Sequence, residues 1–177
     1  MKEIYVDAED VLPHNIPVPL GKAIDINVFV DADHAGNRVT RRSHTGIIIY
    51  CNMAPILWYS KKQNTVETST FGSEFVALKI ATELIDGLKY KLRMFGVPLN
   101  GPSRIFCDNE AVVINGSHPD SSLKKKHCSV AYHRVREAIA AGKQLIFYET
   151  SGTNLADLLT KPLSHIKRLP LIEAILS

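Results

Sequence analysis

Ile24-Asp25-Ile26-Asn27-Val28-Phe29-Val30-Asp31 is the stretch on which the fold turns. Its apolar/polar alternation is that of a half-buried strand, and the run ends on a carboxylate. Two more strand-like runs follow. Thr45 to Cys51 carries Ile47, Ile48, Ile49 and Tyr50, and Ala54 to Ser60 carries Ile56, Leu57, Trp58 and Tyr59. The short Asn52-Met53 junction between them predicts a hairpin. Beyond a polar stretch, Phe71, Phe75, Leu78, Ile85, Leu88, Leu92 and Phe95 recur at three- and four-residue steps or their sums. That spacing predicts a long helix with one buried face, capped by Ser69 or Thr70 and stopped by Gly96 and Pro98.

The remainder alternates. Arg104 to Cys107 is a short apolar run ending at Asp108, with a helical pattern (Ala111, Val112, Ile114) directly after it. Ser117 to Ser122 is a turn-rich break, and an amphipathic helix spans about Ser129 to Ala141, ended by Gly142. Gln144 to Glu149 reads as a strand, and Asn154 opens a last helical stretch that carries Asp157 and is interrupted at Pro162. The order β-β-β-α-β-α-α-β-α predicts an α/β fold: a mixed sheet, three strands joined by short turns and then strands alternating with helices, flanked by helices.

Upstream of Ile24 the pattern is different. Pro13, Pro17 and Pro19 punctuate the chain and acids dominate Glu3 to Asp10. Residues 1–23 are expected to be an extended linker, 24–164 the folded domain and 165–177 a C-terminal helical tail.

Bulk properties narrow the class. A chain of 177 residues that is 45% hydrophobic and 22% charged has enough apolar material for one core, which argues against disorder throughout. No run approaches the roughly 18 apolar residues of a membrane span, so no membrane partner is expected. Cys51, Cys107 and Cys128 are odd in number and lack a C-x-x-C pair, so they read as thiols of a reducing compartment. A net charge of +3 permits a polyanionic partner without requiring one.

The chemistry is expected of four acids. Asp31 and Asp108 each end an apolar strand. If those strands are parallel neighbours, both carboxylates reach the sheet edge where α/β ligand sites form. Glu74 falls near the start of the long helix and Asp157 near the start of the last one, where the helix dipole favours a carboxylate. Four carboxylates in a small volume repel: two charges about 4 Å apart at an effective dielectric near 20 cost roughly 4 kcal/mol. Cations or protons must relieve that repulsion. Oxygen-only ligands suit Mg²⁺ or Mn²⁺ rather than zinc, and two such ions would balance four carboxylates. Taken singly, an Asp at a strand end is commonly a turn or cap residue.

Local words add a family resemblance. Val28-Phe29-Val30-Asp31-Ala32-Asp33-His34-Ala35-Gly36, Trp58-Tyr59-Ser60-Lys61-Lys62-Gln63-Asn64-Thr65-Val66 and Ser69-Thr70-Phe71-Gly72-Ser73-Glu74-Phe75 resemble successive motifs of the ribonuclease H domain in copia-type retrotransposon polyproteins. Cys107-Asp108-Asn109, the helix around Tyr132-His133-Arg134-Val135-Arg136-Glu137, and Asn154-Leu155-Ala156-Asp157-Leu158-Leu159-Thr160-Lys161 continue the series in order. The resemblance implies a ribonuclease H fold with a five-stranded sheet. It also implies hydrolysis of the RNA strand of RNA–DNA hybrids with two Mg²⁺ ions, Mn²⁺ substituting, during reverse transcription. Asp31 would bridge the metals, Glu74 and Asp108 hold one and Asp157 the other, with Asp33 the rival for the first role. The implied partners are the hybrid and the reverse transcriptase domain of the same polyprotein, and the implied setting is a cytoplasmic particle or the nucleus. As an isolated domain the chain is expected to be monomeric.

One departure stands out. The loop Thr150-Ser151-Gly152-Thr153-Asn154 has no histidine, which many cellular and retroviral relatives place before the last Asp. The alternative to an active nuclease is a weakly active or inactive hybrid-binding module of the reverse transcriptase.

Substrate contacts are expected from Thr70, Ser73, Asn109 and Glu110 near the acids, with Lys124, Lys125 and Lys126 as the basic patch. Trp58 and Tyr59 should divide between core and surface, with Trp58 expected to pack rather than stack on bases. His127, Cys128 and His133 lack a fourth ligand at zinc-finger spacing.

Overall fold

The computed structural model describes residues 1–121, 123 and 128–176. Five strands form one sheet: β1 Ile26–Asp33, β2 His44–Cys51, β3 Ala54–Lys62, β4 Ser103–Cys107 and β5 Gln144–Tyr148. Their order across the sheet is β3-β2-β1-β4-β5, with β1–β2 and β2–β3 antiparallel and β1–β4 and β4–β5 parallel. Helices α1 Thr70–Met94, α2 Glu110–Ser117 and α3 Ser129–Ala140 follow the sequence expectation closely, and α4 spans His165–Leu176. The stretch carrying Asp157 is a short 3₁₀ helix, Leu155–Leu159. No described helix is long and apolar enough to cross a membrane.

Alternation along β1 sorts its side chains onto two layers. Val28, Val30 and Ala32 join the main core with Phe75, Leu78, Ala81 and Ile85 of α1. Phe29 faces the other way, toward a smaller cluster built from Ile48, Tyr50, Leu155 and Leu171. α1 begins where expected: Ser69 is its N-cap and accepts a bond from Gly72 N–H. It ends at Gly96, which adopts φ +71°.

Three expectations need correction. β1 does not stop at Asp31, because Ala32 and Asp33 continue the ladder opposite Thr45 and His44. Phe95 caps α1 and is 81% exposed, so it is not part of the buried face. Trp58 is 71% exposed, whereas Tyr59 packs on the main core. Alternation separated the two aromatics, but which face of an edge strand α1 covers is set by tertiary packing.

The first 23 residues contain no regular element beyond turns, yet they are tied down. Tyr5 Oη lies 2.7 Å from His133 Nδ1, Asp10 takes both guanidinium nitrogens of Arg93, and Leu20 N–H donates to Gly96 O. Arg93, with help from the charges of Lys89 and Lys143, holds the Asp10 carboxyl below its usual range. Lys124, Lys125, Lys126 and His127 lie outside the described residues.

Candidate active site

The last β1–β4 pair is Val30↔Cys107, so Asp31 and Asp108 are the residues that follow on each chain. Asp31, Asp108 and Asp157 each offer an oxygen within 4.8 Å of the others, and Glu74 joins Asp108 and the Cys107 thiol in a second such group. The four acids therefore gather at the carboxyl end of the two central strands, with Asp108 common to both groups.

Each acid has its own support. Glu74 is the fifth residue of α1, one position past the first turn, so the helix dipole does less for it than its sequence position suggested. It is 3% exposed, takes a backbone hydrogen bond from Ala32, and leaves Oε2 without a hydrogen-bond partner among the described residues. Gln63 locks the helix start to the sheet by donating to both Thr45 Oγ1 and Ser73 O. Asp108 receives a bond of 2.9 Å from Ser151 Oγ. Asp31 is 2% exposed and accepts a short hydrogen bond from Thr160 Oγ1. Asp157 rides on the 3₁₀ helix, whose N-cap Asn154 is fully buried, accepts from Ala156 N–H and donates to Val30 O at 2.9 Å. That amide pins the segment onto β1.

Electrostatics follow from this crowding. Burial, then the charges of Asp31 and Asp108, pushes Glu74 well above the usual carboxylate range. Burial and Asp31 raise Asp108, against the Ser151 bond and Lys161. Burial raises Asp157 to about 6, with Lys161 opposing and Asp31 adding to the shift. The Cys107 thiol is also driven up by burial and by Glu74, so it stays protonated and is a poor ligand for a hard cation.

No family model matches the chain. Its sequence is 30% identical over 153 residues to the retrovirus-related Pol polyprotein from transposon RE2 of Arabidopsis thaliana, covering 86% of this chain and 10% of that protein. The RE1 polyprotein of the same plant matches at 30% over 152 residues, again 86% of this chain and 10% of the polyprotein. LC11-RNase H1, solved in complex with an RNA/DNA hybrid, superposes with a TM-score of 0.58 at 17% identity, over 77% of this chain and 94% of that one. The chain is a homologue of copia-type retrotransposon Pol polyproteins and has the ribonuclease H fold. It spans about a tenth of the length of the curated relatives it matches.

Within this ribonuclease H fold the rival acid lies apart. Asp33 shares a strand face with Asp31, but its carboxylate turns over Gly36, where an added β-carbon would fall 1.6 Å from Oδ2. Neither acid group within 4.8 Å includes it among the described residues. Of the expected substrate contacts, Thr70 and Glu110 are exposed and are the first residues of α1 and α2. Asn109 is half-buried and caps α2 by accepting from Val112 N–H. Ser73 is fully buried and its hydroxyl donates to Thr70 O, so it is closed off from a ligand and serves the helix start.

Sequence reading missed four positions that hold the Asp157 side together: Gly46, Asn154 as an anchor, Thr160 and Lys161. Gly46 faces Asp31 across the β1–β2 ladder, and a β-carbon there would lie 2.7 Å from both Ala156 O and Thr160 Cγ2. Only a glycine lets the 3₁₀ segment settle this close. Lys161 Nζ sits 2.8 Å from Asp157 Oδ1 and 3.5 Å from Asp31 Oδ2. A lysine four residues after an acid in the last motif was the available signal.

Proposed function

We propose that this domain is an endoribonuclease that hydrolyses the RNA strand of RNA–DNA hybrids. The observation that carries the reading is the four-acid cluster at the ends of β1 and β4, in a chain with the ribonuclease H fold and Pol polyprotein homologues. LC11-RNase H1, with the same fold, binds such a hybrid.

The donor set fits hard divalent cations. It is all oxygen apart from a protonated thiol, it concentrates negative charge in a buried place, and Glu74 Oε2 lacks a hydrogen-bond partner among the described residues. Asp31, Glu74, Asp108 and Asp157 would hold Mg²⁺ ions, with Mn²⁺ as a substitute. Asp108 belongs to both acid groups. When bound, such a pair supplies an activated water and charge stabilisation for in-line displacement at phosphorus.

The chain's own residues supply position. Ser151 orients Asp108, Thr160 orients Asp31, and Asn154 fixes the backbone from which Asp157 projects. Thr70 and Glu110 stand at the rim, where a hybrid's 2′-hydroxyls would pass. The loop 150–154 offers no histidine to deliver a proton to the leaving oxygen. In its polyprotein the domain would remove template RNA beside the reverse transcriptase, with residues 1–23 leading in from that direction.

The test incubates the purified chain with hybrid, double-stranded RNA and double-stranded DNA, each with Mg²⁺, Mn²⁺ or Ca²⁺. Cleavage of the hybrid alone, lost in Asp108→Asn, is the expected result. Equal cutting of duplex DNA contradicts it, and hybrid binding without cleavage in Mg²⁺ and Mn²⁺ points to a binding module.

A further inference from the structure

We infer that Lys161 is a built-in counter-cation that competes with divalent ions for the Asp31–Asp157 side of the cluster and so sets the cation concentration the domain needs. The inference rests on the reading of these acids as cation ligands and adds a residue that sets their affinity.

The geometry is specific. The ammonium lies 2.8 Å from Asp157 Oδ1 and 3.5 Å from Asp31 Oδ2, taking one oxygen of each. Those two carboxylates are 7% and 2% exposed, so little water can share their charge, whereas the Lys161 side chain is 36% exposed and reaches in from the rim. Lys161 follows Thr160 directly, and Thr160 donates to Asp31 Oδ2 and to Asp157 O. The Lys161 amide is in turn bonded to Asp157 O at 3.4 Å. One short turn thus delivers a hydroxyl and a full positive charge to the same pair of acids. The other side of the cluster is built differently. Among the described residues no ion pair reaches Glu74 or Asp108, and Asp108 is met by a neutral hydroxyl from Ser151.

A cation bound by Asp31 and Asp157 needs the lone pairs that Lys161 occupies, and an ammonium next to it would repel it. The lysine must therefore swing aside. It has room to turn: Lys161 lines, with Ser151, Asp157, Pro162, Lys167 and Leu171, a cavity of about 500 Å³ that opens beside Asp157. The two cation positions are then unequal, one open beside Glu74 and one guarded by Lys161.

The test is Mn²⁺ binding by titration calorimetry together with thermal melts in EDTA and in saturating Mg²⁺, on the whole chain and on Lys161→Met, Lys161→Gln and Lys161→Arg. The parent should bind Mn²⁺ in a tight and a weak step. Lys161→Met and Lys161→Gln should tighten the weak step by on the order of tenfold, within the range outer-shell partners exert on metal affinity. They should also melt lower than the parent in EDTA and match it in saturating Mg²⁺, while Lys161→Arg stays near the parent. A lysine that merely packs would lower the melting temperature equally in both conditions and leave the binding steps unchanged, which overturns the inference. Glutamine keeps a hydrogen-bonding group on the acids, so it reports on charge even if methionine prevents folding in EDTA. Should the parent bind no Mn²⁺, the underlying ligand reading fails; should it bind with Lys161 variants unchanged, only this inference fails.

Discussion

The two halves of the acid cluster are built by opposite means. Glu74 stands on a 25-residue helix and Asp108 directly follows a strand paired on both sides within the sheet, and burial with the charge of Asp31 outweighs the hydrogen bonds that Ala32 and Ser151 give them. Asp157 stands on a five-residue 3₁₀ helix that has little cohesion of its own. Its place depends on a missing side chain at Gly46, a buried amide at Asn154, a hydroxyl at Thr160 and a charge at Lys161. A stiff half can hold charges that disfavour folding, because the core supplies the rigidity. A half resting on a short segment must be fastened and partly neutralised by its neighbours.

The largest expected effect tests the stiff half. Asp108→Asn removes a charge shared by both acid groups and should lower hybrid cleavage by about 10²–10³-fold or more, the scale of losing one group that stabilises transition-state charge. Steady-state cleavage of a labelled hybrid checks it. Next, Gly46→Ala forces a β-carbon against the backbone carbonyl of Ala156 and should destabilise the fold by about 1–3 kcal/mol while displacing Asp157. Denaturant melts give the stability, and the cation-induced rise in melting temperature should shrink with it. The same substitution at Gly87, which has nothing within 4 Å of an added β-carbon, should not destabilise the chain.

The pH dependence compares the halves directly. Glu74, Asp108 and Asp157 hold their protons more tightly in the fold than in the unfolded chain, because their folded pKa values are raised. Where the native state binds more protons, stability falls as pH rises. With Asp157 near 6 against an ordinary 3.8, the loss from that group runs between about pH 4 and pH 6 and amounts to at most about 3 kcal/mol. In EDTA the melting temperature should therefore fall on going from pH 4.5 to 7 as far as these groups govern it, and Glu74→Gln should flatten that fall. A profile unchanged in Glu74→Gln would mean that burial and its acid neighbours do not raise Glu74. The smallest effect belongs to Ser151→Ala. It removes one exposed hydrogen bond to Asp108, should change stability by no more than about 1 kcal/mol, and should slow cleavage less than any acid substitution.

What was legible in the sequence follows the same division. Period-two alternation placed Asp31 late in β1, a short apolar run placed Asp108 after β4, and three- and four-residue spacing placed Glu74 near the start of α1, because these patterns record local backbone geometry. That β1 and β4 are parallel neighbours was only a condition until the pairing was seen. The Asp157 side was legible only as a motif. Gly46 reads as an ordinary strand glycine until the 3₁₀ segment lies over it, and Asn154 reads as a helix cap although its amide also reaches Val30 O. The continuation of β1 through Asp33 depends on pairing with β2, not on its own residues. It put Asp33 on the same face as Asp31, and only the turn at Gly36 separated them. Trp58 was misplaced for a related reason: alternation says that Trp58 and Tyr59 point opposite ways, and the helix decides which way is in.

Melting temperature against Mg²⁺ concentration, for the parent beside Asp31→Asn and Asp33→Asn, tests the central claim that the cluster is a cation site. At a hundred times the dissociation constant one site adds about 2.7 kcal/mol, or roughly 5–10 °C for a chain of this size. The parent and Asp33→Asn should show that rise and Asp31→Asn should lose most of it. An equal rise in all three, or none in the parent, would contradict the account.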